Sequence, residues 1–216
     1  MAKSDEDDFH SGNDPDRIVA EYGRLAADYD RRWSSYLDAS LRETRKRLDL
    51  GSGLSVLDVG CGTGTLLKDL SLSAPSLHLV GVDPTVEMLQ VARISLGDRV
   101  MLVESYAEQL PLATQTFDAV VSMSTLHYFT DPAGALKEMA RVLRPGGQVV
   151  VTDWCADYLL CRCSEPLIRV LHPVSFRTYR QAELKDLLIE SGFTGIRIDR
   201  YKINWFWGLM TAVAWR

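Results

Sequence analysis

From Val56 to Gly64 the sequence reads Val-Leu-Asp-Val-Gly-Cys-Gly-Thr-Gly: a short apolar run, an acid within it, and glycine at three alternate positions. Gly60, Gly62 and Gly64 carry no Cβ, so the backbone turns sharply there and comes close to a ligand. The residues from Leu66 onwards are patterned as a helix whose first N–H groups point back at that turn. A second acid, Asp83, closes the next apolar run, Val80-Gly81-Val82. It stands about twenty residues beyond the turn, where a carboxylate accepts hydrogen bonds from both hydroxyls of a ribose. Asp83-Pro84 also reads as the cap of the next helix, with Thr85 as the other capping candidate; both roles are compatible. The glycine spacing is G-x-G-x-G, whereas a dinucleotide fingerprint needs G-x-G-x-x-G, and that last position is Thr65 here. A pyrophosphate requires a close helix N-terminus. A nucleoside ligand without phosphate and with an amino-acid end does not, and Asp58 suits its ammonium group.

Elements of alternating type must carry these residues. Short apolar runs at Ser55–Val59, Leu77–Val82, Val100–Val103, Ala119–Ser122 and Gln148–Thr152 suit strands buried on both faces of a parallel sheet. Helical patterns lie between them at Thr65–Leu70, Val86–Ser95 and Ala133–Leu143, and Arg144-Pro145-Gly146-Gly147 reads as the stop after the last of these. A final helix spans Gln181–Ser191, and two strand-like runs follow at Ile196–Tyr201 and Phe206–Ala214. Their connection, Lys202 to Asn204, is too short for a parallel crossover, so the last strand should run antiparallel to the rest. Ahead of the sheet, Ile18, Tyr22, Leu25, Ala26 and Tyr29 recur at helical spacing behind an Asp14-Pro15 cap. A second helix is expected over about Ser34 to Leu48, with Tyr36, Leu37, Leu41 and Leu48 as its apolar side. The fold class is α/β: a doubly wound, Rossmann-like, seven-stranded and mostly parallel sheet with an N-terminal helical lid.

With 216 residues and 46% hydrophobic composition, the chain suits a single domain, residues 14–216, behind an acidic tail, residues 1–13, that is expected to be disordered. The net charge of −5 gives no sign of a basic nucleic-acid surface. No signal peptide is visible and no apolar run is long enough to span a bilayer, so stable membrane insertion is not expected, although peripheral association is compatible with the sequence. The cysteines, Cys61, Cys155, Cys161 and Cys163, do not form a secreted disulfide framework, and a cytoplasmic location is expected.

The segments VLDVGCGTG (56–64), GVDPTVEML (81–89), AEQLPLATQTFDAVVSMSTLHY (107–128), ALKEMARVLRPGGQVVVTD (135–153) and YRQAELKDLLIESGF (179–193) together resemble the class I methyltransferases. The likeness is to their type 11 group, which includes ubiquinone and menaquinone biosynthesis enzymes. The resemblance implies S-adenosylmethionine as cofactor and a small-molecule methyl acceptor, with a monomer or homodimer expected. It implies that Gly60, Cys61 and Gly62 line the methionine part, with Asp58 behind them and Gly64 completing the turn. Asp83 would hold the ribose, while Pro84, Thr85 and Met88 border the ribose or adenine. Tyr106 and Ala107 would flank the adenine, and Ser122 would sit beneath the sulfonium with Met123 near it. The family commonly has an acid where Tyr106 stands; Glu104 or Glu108 are the compensating candidates. Tyr29-Asp30 resembles the family's entry motif.

Methyl transfer is an in-line displacement, so positioning dominates, and a base is needed only where the acceptor must lose a proton. His127, after the fourth strand, and Asp153, at the end of the fifth, are the catalytic candidates; simple packing and loop fixing are the competing roles. Substrate candidates are Tyr29 and Trp33 in the helical lid (residues 14–50), and Trp154 and Tyr158 in a lid insertion (residues 154–176). That insertion also carries Leu159, Leu160, His172 and Phe176. Their character suggests a quinol, phenolic or lipid-like acceptor in an apolar pocket, though each could equally pack its segment onto the sheet. Cys155, Cys161 and Cys163 raise thiol or arsenite methylation as an alternative, but their spacing does not suit a structural metal site, and none is expected. A nicotinamide oxidoreductase and a non-catalytic S-adenosylmethionine-binding module are the remaining alternatives. On a strand, Trp205, Trp207 and Trp215 would share one face, covered by a helix at the sheet's edge.

Overall fold

The computed structural model describes residues 15–158, 176–205 and 207–216. The acidic tail, the Asp14 cap, Leu159, Leu160, Cys161, Cys163, His172 and Phe206 therefore lie outside the described residues. Seven strands form one sheet in the order β3-β2-β1-β4-β5-β7-β6. They are β1 (Ser55–Val59), β2 (His78–Asp83), β3 (Val100–Glu104), β4 (Phe117–Met123), β5 (Leu143–Trp154), β6 (Thr194–Lys202) and β7 (Gly208–Trp215). β1 to β5 pair in parallel, and β7 runs antiparallel to both β5 and β6. The antiparallel last strand is as expected, because a short turn closed by the Ile203 N–H on the Trp207 carbonyl joins β6 to β7.

The helices are α1 (Pro15–Leu25), α2 (Tyr29–Arg45), α3 (Thr65–Ser73), α4 (Val86–Leu96), α5 (Pro132–Val142) and α6 (Gln181–Glu190). Two cores sandwich the sheet. Side chains alternate along a strand, so Val56 enters one core with Leu66, Leu70 and Val121, while Leu57 enters the other with Phe117, Leu136 and Leu184. Leu57, Val120 and Val149 are fully buried, which is why the central runs carry no polar alternation.

Three expectations are corrected. The helical boundary near the N-terminus falls earlier: α1 stops at Leu25, a single 3₁₀ turn covers Ala26–Asp28, and α2 already starts at Tyr29, kinking at Trp33. The Arg144-Pro145-Gly146-Gly147 stop does end a helix, but those residues already form the irregular start of β5. Leu143 pairs with Phe117, and the register then shifts. The tryptophans do not share a strand face. Trp205 and Trp207 lie in the turn before β7, and only Trp215 is on the strand, under the Arg197 guanidinium. Trp207 packs on Tyr36 and Trp154 rather than under an edge helix. Among the described residues, no helix is long and apolar enough to cross a membrane.

Candidate functional site

Strand order reverses between β1 and β4: β2 and β3 lie on one side, β5 on the other. Loops leaving adjacent strands there must diverge, which opens a crevice at the strands' carboxyl ends. The glycine turn lies in that crevice. Its first two amides, of Gly60 and Cys61, donate to the Val82 carbonyl on β2 at 2.7 and 3.0 Å, and the Gly64 amide closes on the Cys61 carbonyl at 2.9 Å. Gly60 has φ +72, and a Cβ there would stand 2.6 Å from the Thr125 side chain, so β1 and the loop after β4 meet through its hydrogen.

The cavity encloses about 1020 Å³, its open mouth included. Asp58, Gly60, Cys61, Gly62, Asp83, Pro84, Thr85, Met88, Tyr106 and Ala107 all line it, so sequence reasoning located most of one wall. Asp83 is tied in by backbone: one carboxylate oxygen accepts the Gly62 N–H and the other the Thr85 N–H, each at 2.9 Å. It therefore fixes the glycine turn and starts α4 in one stroke, and the remaining lone pairs are free for a diol. The Asp58 carboxylate is buried, and its Oδ1 has no hydrogen-bond partner. Burial, with Asp83 adding repulsion, pushes this carboxyl up to about 7. An unsatisfied buried carboxylate oxygen is costly, and a cationic ligand group relieves it. Gly62, at φ +53, would bring an added Cβ within 4 Å of no protein atom, so ligand space adjoins it. These residues fit S-adenosylmethionine: Asp58 for the ammonium, Asp83 for the ribose, and open backbone between them. The cofactor's chemistry is to present a methyl group on a positively charged sulfur.

Several residues stand elsewhere than expected. Ser122 is fully buried and does not line the cavity; its hydroxyl lies 2.7 Å from that of Thr125, which does. Gly64 is the left-handed N-cap of α3, off the cavity wall. Of the two acids near the adenine position, Glu108 lines the cavity but spends one oxygen on the amides of Thr130 and Asp131, while Glu104 on β3 does not line it. Trp33, Trp154 and Tyr158 also stand off the cavity. Trp33 and Trp154 belong to an adjacent cluster with Tyr36, Leu37, Trp207 and Leu209. Tyr158 lies under Arg200 and Lys202. The cysteine alternative finds a buried Cys155 whose thiol is pushed up to about 11 by burial, the reverse of an activated thiolate. Among the described residues, no group of three His, Cys, Asp or Glu side chains is placed to hold a metal ion.

His127 and Asp153, the catalytic candidates, pair with each other rather than facing the cavity. The Asp153 carboxylate lies 2.6 Å from His127 Nδ1 and accepts the His127 backbone N–H at 3.1 Å. Both are buried, and neither lines the cavity. The imidazole instead stacks on Trp154, with ring centroids 5.0 Å apart, and abuts Tyr128 at 4.0 Å.

The expected helical lid supplies the opposite wall, with Tyr29 as a substrate candidate already named and Pro15, Ile18, Val19, Leu37 and Phe129 as residues not singled out for the site. Pro15, Ile18, Val19 and Tyr22 of α1 lie over the crevice, and Tyr29 and Leu37 of α2 continue it. Tyr128 and Phe129 close it from the 3₁₀ turn after β4. Asp30 accepts a 2.6 Å hydrogen bond from Thr63 in the glycine turn, joining α2 to the cofactor loop. The pairing of the Tyr29-Asp30 element with a hydroxyl inside the G-x-G-x-G turn was the available signal.

Titration of Asp58 has a directional consequence. Below about pH 7 its carboxyl is neutral in the free protein, so binding a ligand ammonium there would require proton release. S-adenosylmethionine affinity should rise by about tenfold per pH unit on the acid side and level off above about pH 7. The same group destabilises the free protein increasingly as pH rises from the ordinary carboxylate range towards about 7. Calorimetric titrations from pH 5 to pH 8 check this, and an Asp58→Asn variant should flatten the profile.

Residues 57–151 match the methyltransferase domain family. The chain is 36% identical over 148 residues to the ubiquinone/menaquinone biosynthesis C-methyltransferase UbiE of Hahella chejuensis, covering 63% of this chain and 59% of that one. It is 31% identical over 171 residues to the O-methyltransferase resE of Aspergillus sclerotiorum, covering 76% and 63%. The Bos taurus protein named "Probable tRNA methyltransferase 9B" is 38% identical over 108 residues, covering 49% of this chain and 22% of its own length. The chain thus spans less than two thirds of the length of these relatives. A Haloferax volcanii methyltransferase, solved in complex with the Trm112 methyltransferase activator, superposes with TM-score 0.79 at 21% identity, covering 90% and 97% of the two chains. With the motif, the acids and the sheet order agreeing, the chain carries a class I S-adenosylmethionine-dependent methyltransferase domain.

Proposed function

We propose that the chain transfers the methyl group of S-adenosylmethionine to a small, flat and largely apolar acceptor, with a quinol or phenol as the preferred class. One observation carries this reading: the cavity joins an unpaired buried Asp58 oxygen at the cofactor end to a wall of Tyr22, Tyr29, Leu37, Tyr128 and Phe129. Such a wall suits a ring rather than a charged polymer, as does the net charge of −5.

The residues position and enclose. Asp58 would hold the ammonium end and Asp83 the ribose of the cofactor, which would supply the methyl group. α1 and α2 act as a lid that excludes water, and Asp30 latches α2 to Thr63. The acids of the wall are committed, Asp58 and Asp83 to the cofactor and Glu108 to backbone amides. An acceptor that is ionised, or that yields its proton to water, therefore needs no protein base. The His127–Asp153 pair is a positioning pair that braces Tyr128 and Trp154.

Calorimetry with S-adenosylmethionine and with NAD tests the cofactor. Binding of NAD alone would sink the reading. Formation of S-adenosylhomocysteine with a panel of quinols, phenols, thiols, arsenite and tRNA tests the acceptor, and turnover of a quinol or phenol is the expected result. Turnover of tRNA alone overturns the small-molecule assignment; arsenite or thiol turnover replaces the acceptor class. Inactivity across the panel with intact cofactor binding favours a non-catalytic module.

A further inference from the structure

Tyr22, Tyr29 and Tyr128 come from three separate elements, α1, the first residue of α2 and the turn after β4, and converge on one region of the cavity wall. The Tyr22 ring lies 5.7 Å from that of Tyr29 and 5.3 Å from that of Tyr128, tilted by 56° and 72°. The hydroxyls serve the lid itself, Tyr22 bonding to those of Tyr29 and Tyr128; what lid packing does not require is three aromatic rings from three elements, all lining the ligand space. The charges around them point the same way. The described lining includes the carboxylates of Asp58, Asp83 and Glu108 and no Lys, Arg or His. Burial keeps the phenols neutral, pushing Tyr128 up to about 12 and Tyr22 and Tyr29 higher than ordinary phenols. A neutral aromatic ring presents a negative face. A wall of such rings beside carboxylates attracts a cation whose charge is diffuse and surrounded by carbon, because that cation loses little hydration on entering.

We propose that Tyr22, Tyr29 and Tyr128 form an aromatic cage for the sulfonium centre of the cofactor, so that the cavity binds the charged methyl donor in preference to its neutral thioether product. The inference rests on the reading of the cavity as an S-adenosylmethionine site and adds which residues read the charge. The cage contributes nothing to the thioether beyond apolar contact, so loss of the methyl group weakens the grip on the spent cofactor.

Equilibrium binding of S-adenosylmethionine and S-adenosylhomocysteine to the full chain tests this without any acceptor. Wild type should favour the sulfonium. Tyr22→Leu and Tyr128→Leu should each weaken S-adenosylmethionine by up to about tenfold while changing S-adenosylhomocysteine by less than about twofold. Tyr22→Phe and Tyr128→Phe keep the ring and should keep the preference. Should a leucine variant not fold, mono-, di- and trifluorinated phenylalanine at position 128 replaces it, and sulfonium affinity should fall stepwise as the ring loses electron density. Equal weakening of both ligands by leucine, loss of the preference in the phenylalanine variants, or indifference to fluorination each overturns the cage. Failure of wild type to bind either ligand overturns the reading of the cavity itself, a result distinct from the others.

Discussion

Asp83→Ala is expected to weaken S-adenosylmethionine binding by about a hundredfold or more. Asp83 ties the Gly62 amide of the glycine turn to the Thr85 amide at the start of α4 and, in the proposed reading, would also hold the ligand's ribose. Truncation removes the acceptor of two ligand hydroxyls, and a hydrogen bond to a charged group is worth roughly 1.5–3 kcal/mol, so two such bonds account for the effect. It also releases two backbone amides at a nearly buried position, so the loop that approaches the cofactor loses its anchor. Asp83→Asn should fall between wild type and alanine, because its amide turns a donor towards one of the two N–H groups. Calorimetric titration with S-adenosylmethionine provides the measurement. A loss below about fivefold for alanine would show that the ribose is held elsewhere.

Asp153→Ala should have the largest effect on stability, about 3 kcal/mol or more. The carboxylate is fully buried at the end of β5 and accepts from the His127 amide, from His127 Nδ1 and from its neighbour, the Trp154 amide. Truncation leaves these donors in an apolar surround of Trp154, Phe176 and Tyr128, where water does not replace the lost acceptor. For a domain of this size the melting temperature should fall by roughly 10 °C. Denaturant unfolding monitored by tryptophan fluorescence checks it, and a change below about 1 kcal/mol would contradict the buried pair. Asp153→Asn, which retains one acceptor oxygen, should cost less than alanine.

The cavity wall built on the glycine turn and Asp83 was legible in the sequence, and the wall built from α1, α2 and the turn after β4 much less so, for physical reasons. Asp58, Gly60, Cys61 and Gly62 share one turn, and Asp83 lies on the neighbouring parallel strand, where registry aligns Val59 with Val82. Contiguous backbone and a fixed strand pairing make those residues neighbours whatever surrounds them. Ser122 shows where that logic stops. The family resemblance puts it beneath the ligand, but the two faces of β4 are equally buried, and the sequence pattern does not say which side chain looks out. The opposite wall is assembled from α1, α2 and the turn after β4, joined by long-range contacts such as Tyr36 Oη on Ser124 Oγ at 2.8 Å. Tyr36 read only as part of an apolar helix face, because a core tyrosine and one reaching a site obey the same periodicity. Trp154 and Trp207, in separate segments, meet with ring centroids 4.6 Å apart only after β7 has paired with β5.

None of the eleven residues of α1 is buried, although four of them line the cavity. Docking of the helix rests on partial burial and on the Tyr22 ring against Tyr29 and Tyr128, so a ligand beneath it would add to the surface that holds it down. The measured affinity for the methyl donor then already includes the ordering of α1. Release of a spent cofactor would then be linked to the opening of that helix. A cavity that grips the sulfonium and lets the thioether go would couple completion of the chemistry to the opening of its own door.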